Sequence, residues 1–141
     1  MIEVRTETTI DASPERVWKA LIEVDQYPSW HPMIHNLENE LRPGGRGVLV
    51  VKAGRRTANV KIRYRKVEPE RELSWKGGIP GLFTGMHYFR LEDAGDGRTR
   101  LAHGEEFDGP LARLTMPLVK GKLQTLYGEV TDAVRKRAEQ Q

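Results

Sequence analysis

Between Ile34 and Phe107 the chain is cut into short segments by turn chemistry, and after Gly109-Pro110 the spacing of its apolar residues changes period. The cuts fall at Arg42-Pro43-Gly44-Gly45, Gly54-Arg55-Arg56, Glu68-Pro69-Glu70, the stretch Gly77 to Gly85, and Ala94-Gly95-Asp96-Gly97. Glycine supplies positive φ and proline a fixed negative one, so each cluster is a place where the chain reverses. Six segments divided this way predict six strands with antiparallel neighbours, because parallel neighbours need long crossover connections. From Leu111 to Gln141 the pattern is helical. At 100° per residue Val119, Leu123, Leu126, Tyr127, Val130, Ala133 and Val134 share an arc of about 120°, the width of a core-facing stripe. One long helix is expected there, bent or restarted at Pro117.

The N-terminal segment adds a strand and a helix. Ile2, Val4, Thr6, Thr8 and Ile10 alternate with Glu3, Arg5, Glu7 and Thr9, the period of a half-buried strand. Ser13 then caps a helix, Pro14 suits its first position, and Glu15 suits its positive end. Val17, Trp18, Leu21 and Ile22 form the apolar face. The helix is expected to end near Asp25, because Pro28 and Pro32 disfavour helical geometry for Tyr27 and His31, leaving a short turn that carries Tyr27 and Trp30.

A chain of 141 residues fits one domain, 1–141, large enough to bury a core or enclose a cavity. It has no cysteine, which excludes disulfides, thiolate metal sites and cysteine nucleophiles. No apolar run approaches the roughly 18 residues of a membrane span. The acidic, alternating N-terminus is unlike a secretory signal, so a cytoplasmic location and no stable membrane insertion are expected. Charged residues make up 30% of the chain and leave a net +3, too small an excess to imply nucleic acid. No Rossmann glycine fingerprint, phosphate-binding loop or nucleophile elbow is present.

The order and spacing of several motifs resemble the START-like, or SRPBCC, superfamily, and within it the polyketide cyclase/dehydrase-like group. The resemblance is carried by Asp11-Ala12-Ser13-Pro14-Glu15-Arg16-Val17-Trp18, Tyr27-Pro28-Ser29-Trp30-His31-Pro32, Pro80-Gly81-Leu82-Phe83-Thr84-Gly85, and Thr99 to Gly109 ahead of the long helix. It spans the whole chain and implies an α+β helix-grip fold. In that fold a curved seven-stranded antiparallel sheet wraps around a long C-terminal helix, with two short helices between strands 1 and 2. It also implies an apolar cavity between sheet and helix. Members bind lipids, sterols, hormones, polyketide intermediates or quinones, some assist other proteins, and a minority are enzymes, so fold alone does not fix activity.

Strand parity then nominates a site. Val60, Ile62 and Tyr64 alternate with Lys61, Arg63 and Arg65, so the apolar set points inward. Residues 52–66 carry seven cations and no acid. Without interleaved aromatic residues for base stacking, this reads as a solvated outer face, and no nucleic-acid partner is expected. His87, Phe89 and Leu91 share one inward face; Leu101, His103, Glu105 and Phe107 share another. A hairpin joining them sets His87 opposite Glu105 in one register and opposite His103 in another.

Two imidazoles and a carboxylate in an apolar chamber need partners. Three roles stay open: bracing the hairpin, holding the polar end of a ligand, or acid/base catalysis by His87, His103 or Glu105. No metal site and no cofactor are expected, since close helical ligand spacing is missing. Proposed ligand-binding residues are Trp30, Val60, Ile62, Tyr64, Trp75, Phe83, His87, Phe89, His103, Glu105 and Leu126. The glycine-rich stretch from Gly77 to Gly85 reads either as a lid or as a packed connection. Exposed faces read as charged, with no apolar patch that demands a partner; monomer and dimer both remain open.

The leading functional expectation is binding of a small hydrophobic or amphipathic molecule, such as a lipid, a quinone or an aromatic polyketide. The alternatives are a cyclase or dehydratase using a cavity His or Glu as acid/base, and an interaction module of chaperone-activator type whose footprint is the basic face.

Overall fold

The computed structural model describes residues 1–53 and 55–140, with the side chains of all but 36–38 and 53 among them; Gly54 of the second turn cluster lies outside the described residues. Strand β1 (Ile2–Ile10) leads into helix α1 (Pro14–Ile22), a single 3-10 turn (Val24–Gln26) and a one-turn helix α2 (Tyr27–Trp30). Six strands follow: β2 (Ile34–Asn39), β3 (Arg46–Ala53), β4 (Arg56–Glu68), β5 (Glu72–Ile79), β6 (Phe83–Gly95) and β7 (Arg98–Asp108). Helix α3 (Pro110–Glu139) closes the chain.

All seven strands form one antiparallel sheet in the order β1-β7-β6-β5-β4-β3-β2, a curled half-barrel that holds α3 in the helix-grip manner. The Ser13 hydroxyl accepts from the Arg16 amide at the start of α1. At the β6–β7 turn Asp96 and Gly97 both have positive φ, the backbone that matches the twist of a two-residue hairpin.

Three local expectations need correction. Helix α1 stops at Ile22, and Tyr27 is helical despite the proline after it. A proline penalises a helical residue before it by roughly the scale that burial recovers, and Tyr27 is 2% exposed with its hydroxyl donating to the Leu21 carbonyl. The glycine-rich stretch is largely strand: Gly77, Gly78 and Ile79 pair with Gly85, Thr84 and Phe83, leaving a three-residue tip at 80–82. Finally, α3 runs unbroken through Pro117 and is not restarted there.

The core has two parts. The larger lies between the sheet, α1 and the C-terminal end of α3, where Val130, Val134 and Ala138 meet Val17, Leu21 and Leu101. The smaller gathers Val4, Phe107, Ala112, Met116 and Tyr127 beneath the earlier turns of α3. Val119, expected on the buried stripe, is 41% exposed.

Candidate functional site

A cavity of about 250 Å³ lies on the concave side of the sheet. Its apolar wall comes from inward positions of successive strands: Ile34 of β2, Leu49 and Val51 of β3, Val60 and Ile62 of β4, and Trp75 of β5. Met33 and Phe83 add to that wall, while Gly77, Gly78 and Gly85 keep part of it thin. At one end stand three polar side chains, His87, Glu105 and Tyr127.

The hairpin register explains their meeting. His87 is directly opposite Glu105 and Phe89 opposite His103, and the imidazole of His87 also reaches diagonally to His103. Glu105 Oε1 accepts from the Tyr127 hydroxyl and lies 3.3 Å from His87 Nδ1. His87 Nε2 is 2.7 Å from His103 Nε2. His103 Nδ1 is 3.0 Å from the Thr131 hydroxyl and 3.3 Å from the Tyr127 carbonyl. The Thr131 hydroxyl in turn meets that of Thr6 on β1. The network therefore runs from the cavity through both imidazoles to α3 and the first strand.

Each imidazole lies on an aromatic face: Trp75 stacks on His87 at 4.6 Å and 8°, and Phe89 on His103 at 4.5 Å and 8°. This fixes the ring planes that the hydrogen bonds require. A Cβ at position 85 would fall 1.9 Å from Glu105 Oε2, so the carboxylate occupies space that only glycine leaves.

Counting donors gives the proton order. The Thr131 hydroxyl donates to the Tyr127 carbonyl, so His103 Nδ1–H donates to that carbonyl and to the Thr131 oxygen, and His103 Nε2 accepts from His87 Nε2–H. His103 stays neutral. Its complete burial pushes its pKa well below the usual histidine value, and charge on His87 pushes the same way. Burial, with the Glu105 charge beside it, raises the Tyr127 hydroxyl well above the ordinary tyrosine value and keeps it a donor. Glu105 Oε2 has no hydrogen-bond partner among the described residues, and both Glu105 and the Gly85 it lies against line the cavity.

Of the residues named from sequence, Val60, Ile62, Trp75, Phe83, His87 and Glu105 line this cavity. Five others sit elsewhere. His103 is fully buried behind His87, Phe89 behind His103, and Tyr64 is a core residue donating to Asn39 Oδ1. Trp30 packs against the large core, and Leu126 borders a shallow concavity on the outside of α3. Sequence reasoning missed Tyr127 and Thr131 as network members, although Tyr127 was on the helical stripe. It also missed Ile34, Leu49 and Val51 as wall and Gly85 as the space for Glu105. Among the described residues no three metal-ligating side chains converge.

Beside the cavity wall, His31 Nδ1 accepts from the amides of Met33 and Ile34 at 3.0 and 3.1 Å, turning the chain into β2. Burial, aided by the charges of His87 and His35, pushes its pKa down to about 3.

The family model described as polyketide cyclase / dehydrase and lipid transport matches residues 1–139. No curated protein matches the chain by sequence. Among solved structures, the aromatase/cyclase Zhui from Streptomyces sp. R1128 superposes with a TM-score of 0.77 at 17% identity, covering 99% of this chain and 94% of that one. A START superfamily protein from Mycobacterium smegmatis gives 0.76 at 19% identity, covering 98% and 97%. A protein from Thermus thermophilus, TTHA0849, gives 0.75 at 18%, covering 97% of each. Identities this low show a shared fold, and the match to the family model over nearly the whole sequence places this chain in the polyketide cyclase/dehydrase and lipid transport family.

Proposed function

We propose that the protein binds a small hydrophobic or amphipathic molecule of the lipid, quinone or aromatic polyketide kind in the cavity between the sheet and α3. The observation that carries this reading is the pairing of an apolar wall with one free carboxylate oxygen, Glu105 Oε2, at the polar end. Apolar burial at roughly 25 cal/mol per Å² supplies affinity, while Glu105 and His87 orient a hydroxyl or another donor of the ligand. A volume of about 250 Å³ takes a ring system or a short acyl segment and leaves the rest of a longer ligand at the mouth.

The test is native mass spectrometry of protein purified gently from its own host, followed by organic extraction. A stoichiometric apolar molecule is the expected result. An empty protein that takes up no member of a panel of lipids, quinones and aromatic polyketides overturns the reading.

The proton order of the network favours a second reading, acid/base chemistry of the cyclase or dehydratase type. In it the Glu105 carboxylate takes a proton from carbon beside a ligand carbonyl, the C–H electron pair becomes a C=C bond as the C=O π pair moves onto oxygen, and the opposing group, His87 or His103, returns a proton to that oxygen. E105Q separates the two readings: it abolishes turnover of a ligand identified by extraction if the carboxylate is a base, and changes only affinity if it orients.

A further inference from the structure

The most exposed large apolar side chains gather at one end of the molecule. Leu114 is 72% exposed and Leu118 85%, on the first three turns of α3, and Ile79 is 62% exposed beside the β5–β6 tip. They form one surface: the Leu111 amide donates to the Leu82 carbonyl at 3.1 Å, tying the tip to the helix start, and both of those leucines are themselves exposed. At 100° per residue Leu111, Leu114 and Leu118 fall within an arc of about 60°, on the side of α3 turned away from the buried Ala112 and Met116. The sequence reading, which saw only charged exposed faces, is corrected here. The core-facing stripe expected from Val119 to Val134 did not include residues 111, 114 and 118, and these leucines lie on the exposed side of α3.

The two segments that carry this surface hold cations and no acids, while β7 beside them carries Glu106 and Asp108. Residues 109–128 contain Arg113, Lys120 and Lys122 and no acid, and residues 73–89 around the tip contain Lys76 and no acid. From the same tip a groove of about 560 Å³ runs over the outer face of the sheet, lined by Arg46, Lys61, Arg63 and Lys76. Three of these cations are direct cross-strand neighbours, Arg46 opposite Arg63 and Arg63 opposite Lys76. Like charges in that register repel, and none of the three has an ion-pair partner among the described residues. At the margin, Asp108 faces the N-terminal ammonium at 3.8 Å.

We infer that this end of the molecule docks on an anionic lipid surface, with the leucines and Ile79 entering the interface and the cations over the headgroups. Apolar side chains on a helix face and a hairpin tip, flanked by lysine and arginine, are what interfacial binding uses. A second copy of the chain fits poorly, because two-fold contact would bring the same cations face to face. The inference goes beyond the ligand reading and is read out without any ligand.

The experiment is sedimentation of the ligand-free protein with phosphatidylcholine vesicles with and without phosphatidylglycerol. Binding is expected only with phosphatidylglycerol, and it weakens as ionic strength rises from about 0.1 to about 1 M and the screening length falls from about 10 to about 3 Å. The double substitution Leu114→Asp, Leu118→Asp should lower binding at least tenfold while circular dichroism and melting stay unchanged, since both side chains are exposed. Lys61→Glu with Lys76→Glu should do the same through charge alone. Absence of binding to the anionic vesicles overturns the inference, as does binding that survives the leucine substitutions. A concentration-dependent dimer abolished by those substitutions, with no vesicle binding, overturns it in favour of self-association.

Discussion

His31 is the residue whose chemistry departs furthest from its appearance in the sequence, where His31-Pro32 reads only as the end of a turn. Its Nδ1 must stay unprotonated to accept the Met33 and Ile34 amides, and its pKa is pushed down to about 3 against an ordinary 6.5. Between those values the unfolded chain binds a proton that the folded chain refuses. Lowering the pH from 6.5 therefore favours unfolding, by up to about 1.4 kcal/mol per pH unit for such a group, while above 6.5 it contributes no slope. His103, depressed by its own burial, adds to the same trend. Asparagine at position 31 presents an acceptor oxygen near the Nδ1 position without a titrating proton. His31→Asn should thus remove about one proton's share of the pH slope in urea melts between pH 6.5 and 5, while wild type keeps the full loss; an unchanged slope assigns the acid sensitivity elsewhere. Polar pairing was legible at this scale only where parity forced it. His87 and Glu105 share inward faces of adjacent strands, so their meeting reduced to a choice of register. The diagonal contact to His103, the Tyr127 hydroxyl and the space left by Gly85 depend on rotamers and helix placement, which strand periodicity does not encode.

At the scale of elements, the strands were readable because alternation and turn chemistry agreed, and each of the seven occurs in the expected order. The errors share a cause: local propensity was overruled by tertiary contact. Gly77 to Gly85 looked like a loop because glycine and proline disfavour strands, yet cross-strand hydrogen bonding carries β5 and β6 to within three residues of each other. The long helix was assigned one apolar stripe, but its two halves pack differently. Its C-terminal half lies against the large core, whereas its N-terminal half buries only Ala112 and Met116 and turns its leucines outward. Adjacent substitutions test that division. Met116, 3% exposed, should cost about 2–5 kcal/mol on change to alanine, as a cavity opens under the helix. Leu118, two residues on, should cost less than about 0.5 kcal/mol. Urea unfolding of both variants is the measurement, and equal losses would mean that the start of α3 is packed on more than the small core.

For the molecule as a whole, the two cores adjoin a cavity whose wall belongs mainly to β2 through β5 and to which α3 contributes Tyr127. A ligand seated there adds apolar contacts where the protein's own are fewest, and it does so only in the folded state. Binding must then raise stability by RT ln(1 + [L]/Kd), about 2.7 kcal/mol at a hundredfold excess over Kd. For a domain of this length that corresponds to a rise in melting temperature of roughly 10 °C. A hydroxyl-bearing naphthoquinone is a suitable probe because its rings fit a cavity of about 250 Å³ and its hydroxyl can donate to Glu105 at the polar end. Val60, opposite Leu49 on the neighbouring strand, points into the same space, so Val60→Trp fills it from within. The tryptophan variant should melt without any quinone-induced shift while remaining folded by circular dichroism, and the wild type should shift in proportion to the logarithm of quinone concentration. A shift of equal size in both proteins would place the quinone outside this cavity and remove the sheet-and-helix chamber as the ligand's seat.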